Sequence, residues 1–202
     1  MAPVPTSLLV DYGCVISLPQ PAAAVRALET AVPDVAPVDF WHGYWDLRLD
    51  YDRGMPDLDY WSGVLGRPAT EAESTRLTEL DIAGWSTVDE RVTALLDRAV
   101  DAGVPLGLLS NAPVTMARAL EAAPWAARFT SLTFSGDLRV AKPDAEAYLA
   151  AARALGAHPS EVVFVDDRPE NIAGAHAVGM TALHHTSADA LERDLGRHLP
   201  LR

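Results

Sequence analysis

The sequence predicts an α/β protein on a doubly wound parallel sheet, with a helical segment inserted after the first strand. Three observations carry this. Short apolar runs alternate with amphipathic stretches along most of the chain, and strands that alternate with helices pair in parallel. The runs are Leu- and Val-rich with little polar alternation, as in strands buried on both faces. Several end on polar residues, and the carboxyl ends of strands are where open α/β sheets bind ligands.

The first run, Ser7-Leu8-Leu9-Val10, delivers Asp11 ahead of Gly13. An alanine-rich helix is expected from Pro19 to Val32, starting near Pro21. Phe40, Trp41, Tyr44, Trp45 and Arg48 then recur at helical spacing, placing the rings on one face. Gly54 and Pro56 stop that helix, and a short one runs from Asp57 to Leu65. Thr70 and Glu73 stand in capping-box relation at the head of a helix to Ile82. From Val88 the texture becomes regular. A helix over 89–102 ends at Gly103, and a strand over 104–109 delivers Ser110-Asn111. A helix follows over 113–123, with proline in its first turn. A third strand, Leu132-Thr133-Phe134, leads into a loop carrying Gly136 and ending at Lys142-Pro143. A helix over 144–155 precedes the strand Val162-Val163-Phe164-Val165, which ends in Asp166-Asp167. A helix over 170–178 closes at Gly179, and Thr181-Ala182-Leu183 begins a fifth strand.

Bulk properties narrow the function. At 202 residues the chain suits one domain, or one domain carrying an inserted lobe. A formal net charge of −12 argues against a nucleic-acid or anionic-membrane surface, while leaving room for a local cation that grips an anion. The single cysteine, Cys14, excludes an internal disulfide, fits a reducing compartment, and reads as a small buried filler. The stretch Met1–Thr6 has neither a basic region nor a long apolar run. No signal peptide or membrane span is therefore expected, and the protein is expected to be cytoplasmic and complete, as a monomer or homodimer.

Four strand ends present chemistry in order: Asp11, Ser110-Asn111, Lys142 and Asp166-Asp167. In a parallel sheet they share one edge. Three carboxylates crowded there would resist joint ionisation, and Mg²⁺, which takes oxygen ligands, removes the conflict. Asp11 then serves as ligand and nucleophile, kept ionised by the cation and a lysine. Ser110 and Asn111 supply a hydroxyl, an amide and backbone N–H groups for a phosphate where a helix begins. Lys142 is a compact charge suited to a phosphate oxygen and to the nucleophile. His184-His185 follows the last strand and reads as structural.

These four segments resemble the motifs of the haloacid dehalogenase superfamily of aspartate-nucleophile hydrolases. Leu8-Leu9-Val10-Asp11-Tyr12-Gly13-Cys14-Val15 resembles the first, Leu108-Leu109-Ser110-Asn111 the second, and Val140-Ala141-Lys142-Pro143-Asp144 the third. The run from Val163 to Asn171 resembles the fourth. The resemblance implies an aspartyl-phosphate on Asp11, with Asp11, Lys142 and Ser110 as the catalytic set. It implies Mg²⁺ held by Asp11, the Gly13 carbonyl and Asp167, with Asp166 and Asn171 in support. It also implies a catalytic core over 1–16 and 86–202 with a helical cap over 17–85. Substrate choice is expected on the cap, where the face bearing Trp41, Tyr44, Trp45 and Arg48 either lines the closed site, with Arg48 gripping an anionic or hydroxylated substrate, or packs its rings between the cap's own helices.

One position departs from the pattern. Most phosphatases of the family carry a second aspartate two residues after the nucleophile, as general acid and base; here that residue is Gly13. The preferred reading is a Mg²⁺-dependent phosphomonoesterase for a small metabolite whose oxygen leaves easily, such as a sugar phosphate. A metal-free 2-haloacid dehalogenase and a catalytically weak phosphate- or partner-binding protein are the alternatives. The Asp166-Asp167 pair argues against the first, and joint retention of Asp11, Lys142 and Asp167 against the second.

Overall fold

The structure is a computed structural model that describes residues 6–200; Met1–Pro5, which make up most of the stretch searched for a signal peptide, lie outside the described residues. Five parallel strands are ordered β3-β2-β1-β4-β5. They are β1 (Ser7–Val10), β2 (Leu106–Ser110), β3 (Ser131–Phe134), β4 (Val162–Asp166) and β5 (Thr181–His184). The apolar run before Asp11, β1, is the central strand. Val10 sits level with Leu108 of β2 and Val165 of β4, so Asp11 and Asp166 emerge side by side with Ser110 one residue further along β2.

Alternate residues of the strands feed two cores. Leu8, Val10, Leu106, Leu108, Val163 and Val165 face one way. They pack on α6 (Glu90–Asp101), α7 (Val114–Glu121) and α11 (Ala188–His198). Leu9, Leu109, Val162 and Phe164 face the other. They pack on α9 (Ala145–Leu155) and α10 (Pro169–Ala177). With both faces covered, polar strand positions would be costly, which is why the strands read as unbroken apolar runs.

Between β1 and α6 lie five helices: α1 (Ala22–Ala31), α2 (Pro37–Asp46), α3 (Arg48–Asp52), α4 (Asp57–Leu65) and α5 (Glu71–Trp85). They enclose their own core around Leu28, Phe40, Tyr44, Tyr51, Tyr60, Trp61 and Leu77. Tyr51 and Tyr60 stack with ring centroids 3.9 Å apart. The chain leaves the sheet at Ser17 and returns at Val88, and the two passages are joined by an antiparallel bridge. Thr70 and Glu73 form the capping box at α5, and Asp89 caps α6 by accepting from the Arg91 and Val92 amides.

Several local expectations change. The ring-bearing helix is two helices, because the backbone departs from helical angles at Leu47 (φ −94°, ψ −4°). The Leu47 side chain occupies the space where a Cβ at Gly63 would stand, so α2 and α4 pack closely at this point. The Gly136 segment is a one-turn helix, α8 (Ser135–Leu138), rather than a loop. A Cβ at Gly136 would sit 2.8 Å from the Ala112 carbonyl, so only glycine lets this turn press on the residue after Asn111. The structure adds two elements that the sequence pattern does not predict, the 3₁₀ turn Pro124–Arg128 and the helix α11. Among the described residues no helix is long and apolar enough to cross a membrane.

Candidate active site

Asp11 stands at the carboxyl end of β1, its backbone N–H donating to Val165 O at 2.9 Å. The chain then turns tightly: the amides of Val15, Ile16 and Ser17 all donate to the Tyr12 carbonyl. Cys14 takes a left-handed conformation (φ 55°) within this turn. It is half-buried and lines the cavity, so it is not the buried filler expected from sequence. Its thiol is pushed up to about 11 by burial and by the Asp167 and Asp11 charges, which leaves it protonated at neutral pH and no nucleophile.

Lys142 is the hub of the site. Its ammonium lies 2.7 Å from Asp11 Oδ1 and 2.7 Å from Asp166 Oδ2, over the Phe164 ring at 5.5 Å. Burial pulls its pKa down, but the Asp11 and Asp166 charges outweigh that and the net direction is up. It is therefore a permanent cation. Asn111 explains how a lysine on a long connection is delivered: its Nδ2 donates to the Lys142 carbonyl (3.0 Å) and its Oδ1 accepts from the Lys142 N–H (2.9 Å). This corrects the expectation that the Asn111 amide meets the phosphate; its side chain is committed to the Lys142 backbone. Ser110 is buried and lines the cavity beside Asp11.

Asp166 is fully enclosed. Its oxygens accept from Lys142 Nζ, the Arg168 N–H (2.9 Å) and Asn171 Nδ2 (2.9 and 3.0 Å). Its lone pairs are largely spent on positioning Lys142 and α10, and it does not line the cavity, whereas Asp11 and Asp167 do. The expectation of Asp166 as a direct ligand is narrowed accordingly. His184, read as structural, points its Nε2 at the Asp167 carbonyl at 2.8 Å.

Asp11, Asp166 and Asp167 each offer a carboxylate oxygen within 4.8 Å of the others. Burial, together with the Asp166 and Asp167 charges, raises Asp11 to about 7 against the opposing pull of Lys142. Burial and Asp166 also raise Asp167. One lysine thus does not balance the crowd of acids. An all-oxygen set with excess negative charge fits a hard divalent cation such as Mg²⁺.

Above these groups lies a cavity of about 520 Å³ between the sheet edge and the helical lobe. The lobe contributes Trp45, Arg48, Leu49, Asp52 and Trp85. Trp41 does not line it: its ring packs edge-on against Phe40 and its Nε1 donates to Glu29 at 2.8 Å. Tyr44 is likewise buried inside the lobe, donating to Asp81 at 2.7 Å. The substrate-facing role expected of these two rings is corrected. The helical face straddles the lobe's own core and the cavity lip, and only its C-terminal part reaches the lip. Arg48 reaches the cavity but is held by Asp52 (2.9 Å), Asp81 (3.3 Å) and the Tyr44 hydroxyl (2.6 Å). Leu49, Trp85, Met116 and Arg168 line the site without having been singled out. Only Arg168, directly after Asp166-Asp167, carried a signal in sequence.

A family model described as haloacid dehalogenase-like hydrolase matches residues 20–179. Sesquiterpene phosphatase astK of Aspergillus oryzae is 31% identical over 126 residues, covering 61% of this chain and 62% of that protein. Flavin mononucleotide hydrolase 1 of Arabidopsis thaliana is 44% identical over 54 residues, 27% of this chain and 22% of that one. The chain therefore spans less than two thirds of the length of these relatives. The HAD family enzyme BT-2542 of Bacteroides thetaiotaomicron, solved with magnesium and inorganic phosphate, superposes with a TM-score of 0.70 at 17% identity. That match covers 90% of this chain and 94% of the other, and at this identity it establishes the fold.

Proposed function

Since the chain belongs to the haloacid dehalogenase-like hydrolases, we propose that it is a Mg²⁺-dependent phosphomonoesterase acting on a small phosphorylated metabolite through Asp11. Residues 17–85 act as its cap and 1–16 with 86–202 as its catalytic core. A sugar phosphate belongs to this class, as does any ester whose oxygen leaves easily. The enzyme works in the cytoplasm on free small molecules.

One observation carries the reading: Asp11 projects into the cavity with Lys142 at 2.7 Å and Asp167 alongside. Asp11 Oδ attacks phosphorus, and the ester P–O bond breaks with its electron pair passing to the departing oxygen. Lys142 holds the attacking carboxylate in place and favours its ionised form, and a bound cation would supply the rest of the charge balance. The Ser110 hydroxyl and the Asn111 N–H steady the phosphate oxygens at the end of β2. Water then attacks phosphorus of the acyl phosphate, restoring Asp11 and releasing phosphate. When bound by Asp11, Asp167 and the Gly13 carbonyl, Mg²⁺ would supply charge neutralisation for carboxylates and phosphate. Phosphatase relatives support the class of reaction, and magnesium with phosphate in a protein of the same fold supports the metal.

The test is hydrolysis of p-nitrophenyl phosphate with Mg²⁺, with a chelator, and by Asp11→Asn. Turnover should vanish on chelation, return on adding Mg²⁺, and be absent in the variant. Turnover indifferent to both changes refutes the reading.

A further inference from the structure

The cavity walls say what kind of alcohol the phosphate is attached to. The floor, around Asp11, Ser110 and Asp167, is polar. Most polar side chains above it are already satisfied. Arg48 is held by Asp52 at 2.9 Å and Asn171 by Asp166 at 2.9 Å, whereas Arg168 and Glu170 form only an exposed ion pair at the rim. The Asn111 amide is clamped on the Lys142 backbone. A polyol would need unspent donors and acceptors here, and a hydroxyl desolvated without a partner costs the site most of what it gains.

Away from the exposed Arg168–Glu170 pair at the rim, what remains uncommitted on the wall is apolar. Trp45 and Leu49, one turn apart across the α2–α3 break, are 56% and 44% exposed and both line the cavity. They are among the few large hydrophobic side chains left in solvent, and exposed apolar groups gathered at a cavity lip mark a site of contact. Trp85 and Met116 extend the apolar lining. The volume, about 520 Å³, leaves room for a ring system beyond the phosphate.

Gly13 adds a second constraint. No side chain stands at that position to protonate the departing oxygen, the Asp52 carboxylate is engaged by Arg48, and Glu170 lies half-exposed at the rim beside Arg168. Without a donor at residue 13 the site favours an oxygen that can leave as an anion, which a phenol or enol does far more readily than an ordinary alcohol.

Resting on the phosphomonoesterase reading, we propose that the substrate is the monophosphate of a planar, apolar, phenolic or enolic alcohol, its ring seated on Trp45 and Leu49. Asp11 forms the new O–P bond, the phenolic O–P bond breaks, and its electron pair leaves with the phenolate, which takes its proton from water.

The full-length protein with saturating Mg²⁺ is assayed on 1-naphthyl phosphate, glucose 1-phosphate, n-octyl phosphate and acetyl phosphate. Naphthyl phosphate should exceed glucose 1-phosphate in kcat/KM by at least a hundredfold, and octyl phosphate should bind competitively while turning over slowly. Trp45→Ala should raise KM for naphthyl phosphate about tenfold more than for acetyl phosphate, the order of effect expected for losing a ring contact. The exposed position of Trp45 makes a folding failure distinguishable by circular dichroism, and Leu49→Ala provides a second variant. Glucose 1-phosphate equal to or better than naphthyl phosphate overturns the proposal. So does a Trp45→Ala effect equal on naphthyl and acetyl phosphates, or a wild-type dimer that Trp45→Ala dissociates with no change in selectivity. Failure to hydrolyse even acetyl phosphate would instead strike the underlying phosphatase reading.

Discussion

Replacing Gly13 by aspartate should give this protein a proton donor it lacks. A Cβ built at Gly13 meets no atom within 4 Å, and Gly13 is not among the glycines with positive φ. The new side chain therefore enters without steric or backbone strain, facing the cavity that the residue lines. A positioned general acid is worth on the order of 10²–10⁴ in rate, or about 3–5 kcal/mol of barrier. The gain must be set against a cost: a further carboxylate joins a group in which Asp11 already lies raised to about 7. That cost falls on the metal-free site and is offset once a divalent cation is bound. The gain should therefore show at saturating Mg²⁺ and shrink when Mg²⁺ is limiting.

The assay is a series of phosphate esters graded by the acidity of the leaving alcohol. For the wild type, log kcat should fall steeply as the alcohol becomes less acidic. For Gly13→Asp the slope should flatten, with alkyl esters accelerated by about 10², the low end for a donor that no neighbouring group orients. Nitrophenyl esters, which need no proton, should change little. Parallel slopes, with Mg²⁺ still bound, would refute the argument that leaving-group protonation limits this enzyme.

Three further outcomes follow from particular contacts. Lys142→Met should abolish turnover and lower stability in urea by about 3–5 kcal/mol, since it strands Asp11 and Asp166 in a buried site without their cation. Asp81→Ala should destabilise the helical lobe by a similar amount, about 3 kcal/mol or more by urea denaturation. Asp81 is 2% exposed and accepts from Gln20, Tyr44 and Arg48. Gly54→Ala should loosen the lobe from the sheet edge: residue 54 has φ +92°, and its Cβ would lie 2.9 Å from the Arg139 guanidinium and from Gly136 O. Hydrogen exchange over residues 50–57 should quicken while exchange in β1 and β4 stays slow, at a stability cost of about 1–2 kcal/mol.

The parts of the fold legible in sequence are those where one residue property decides. Leu8-Leu9-Val10 and Val162-Val163-Phe164-Val165 read as central strands, because a strand covered on both faces confines its polar side chains to its ends. The capping box at Thr70 is legible because both partners sit within one turn. The helix α11 was open to the same reasoning: Ser187 caps it, and Leu191 and Leu195 mark its buried face. Its charged surface masked the pattern.

The site shows the opposite case. Which residues gather at the sheet edge follows from strand order, but what each one does there depends on pairings across the fold. Asn111 sits where a phosphate ligand would be expected, yet its amide spans 31 positions to hold the Lys142 backbone. Trp41 and Trp45 share a helix face by spacing, yet one hydrogen-bonds inside the lobe while the other stands in solvent at the cavity lip. Periodicity assigns a face, and only the packing of α2 against α4 and α5 divides that face between lobe interior and site. Arg48 follows the same rule: on sequence it is a free cation aimed at an anion, while in the fold Asp52 and Asp81 have already neutralised it. The charge available to a substrate is therefore what remains after the protein's own pairings. Here that remainder is an acidic floor with a single lysine under a largely apolar roof.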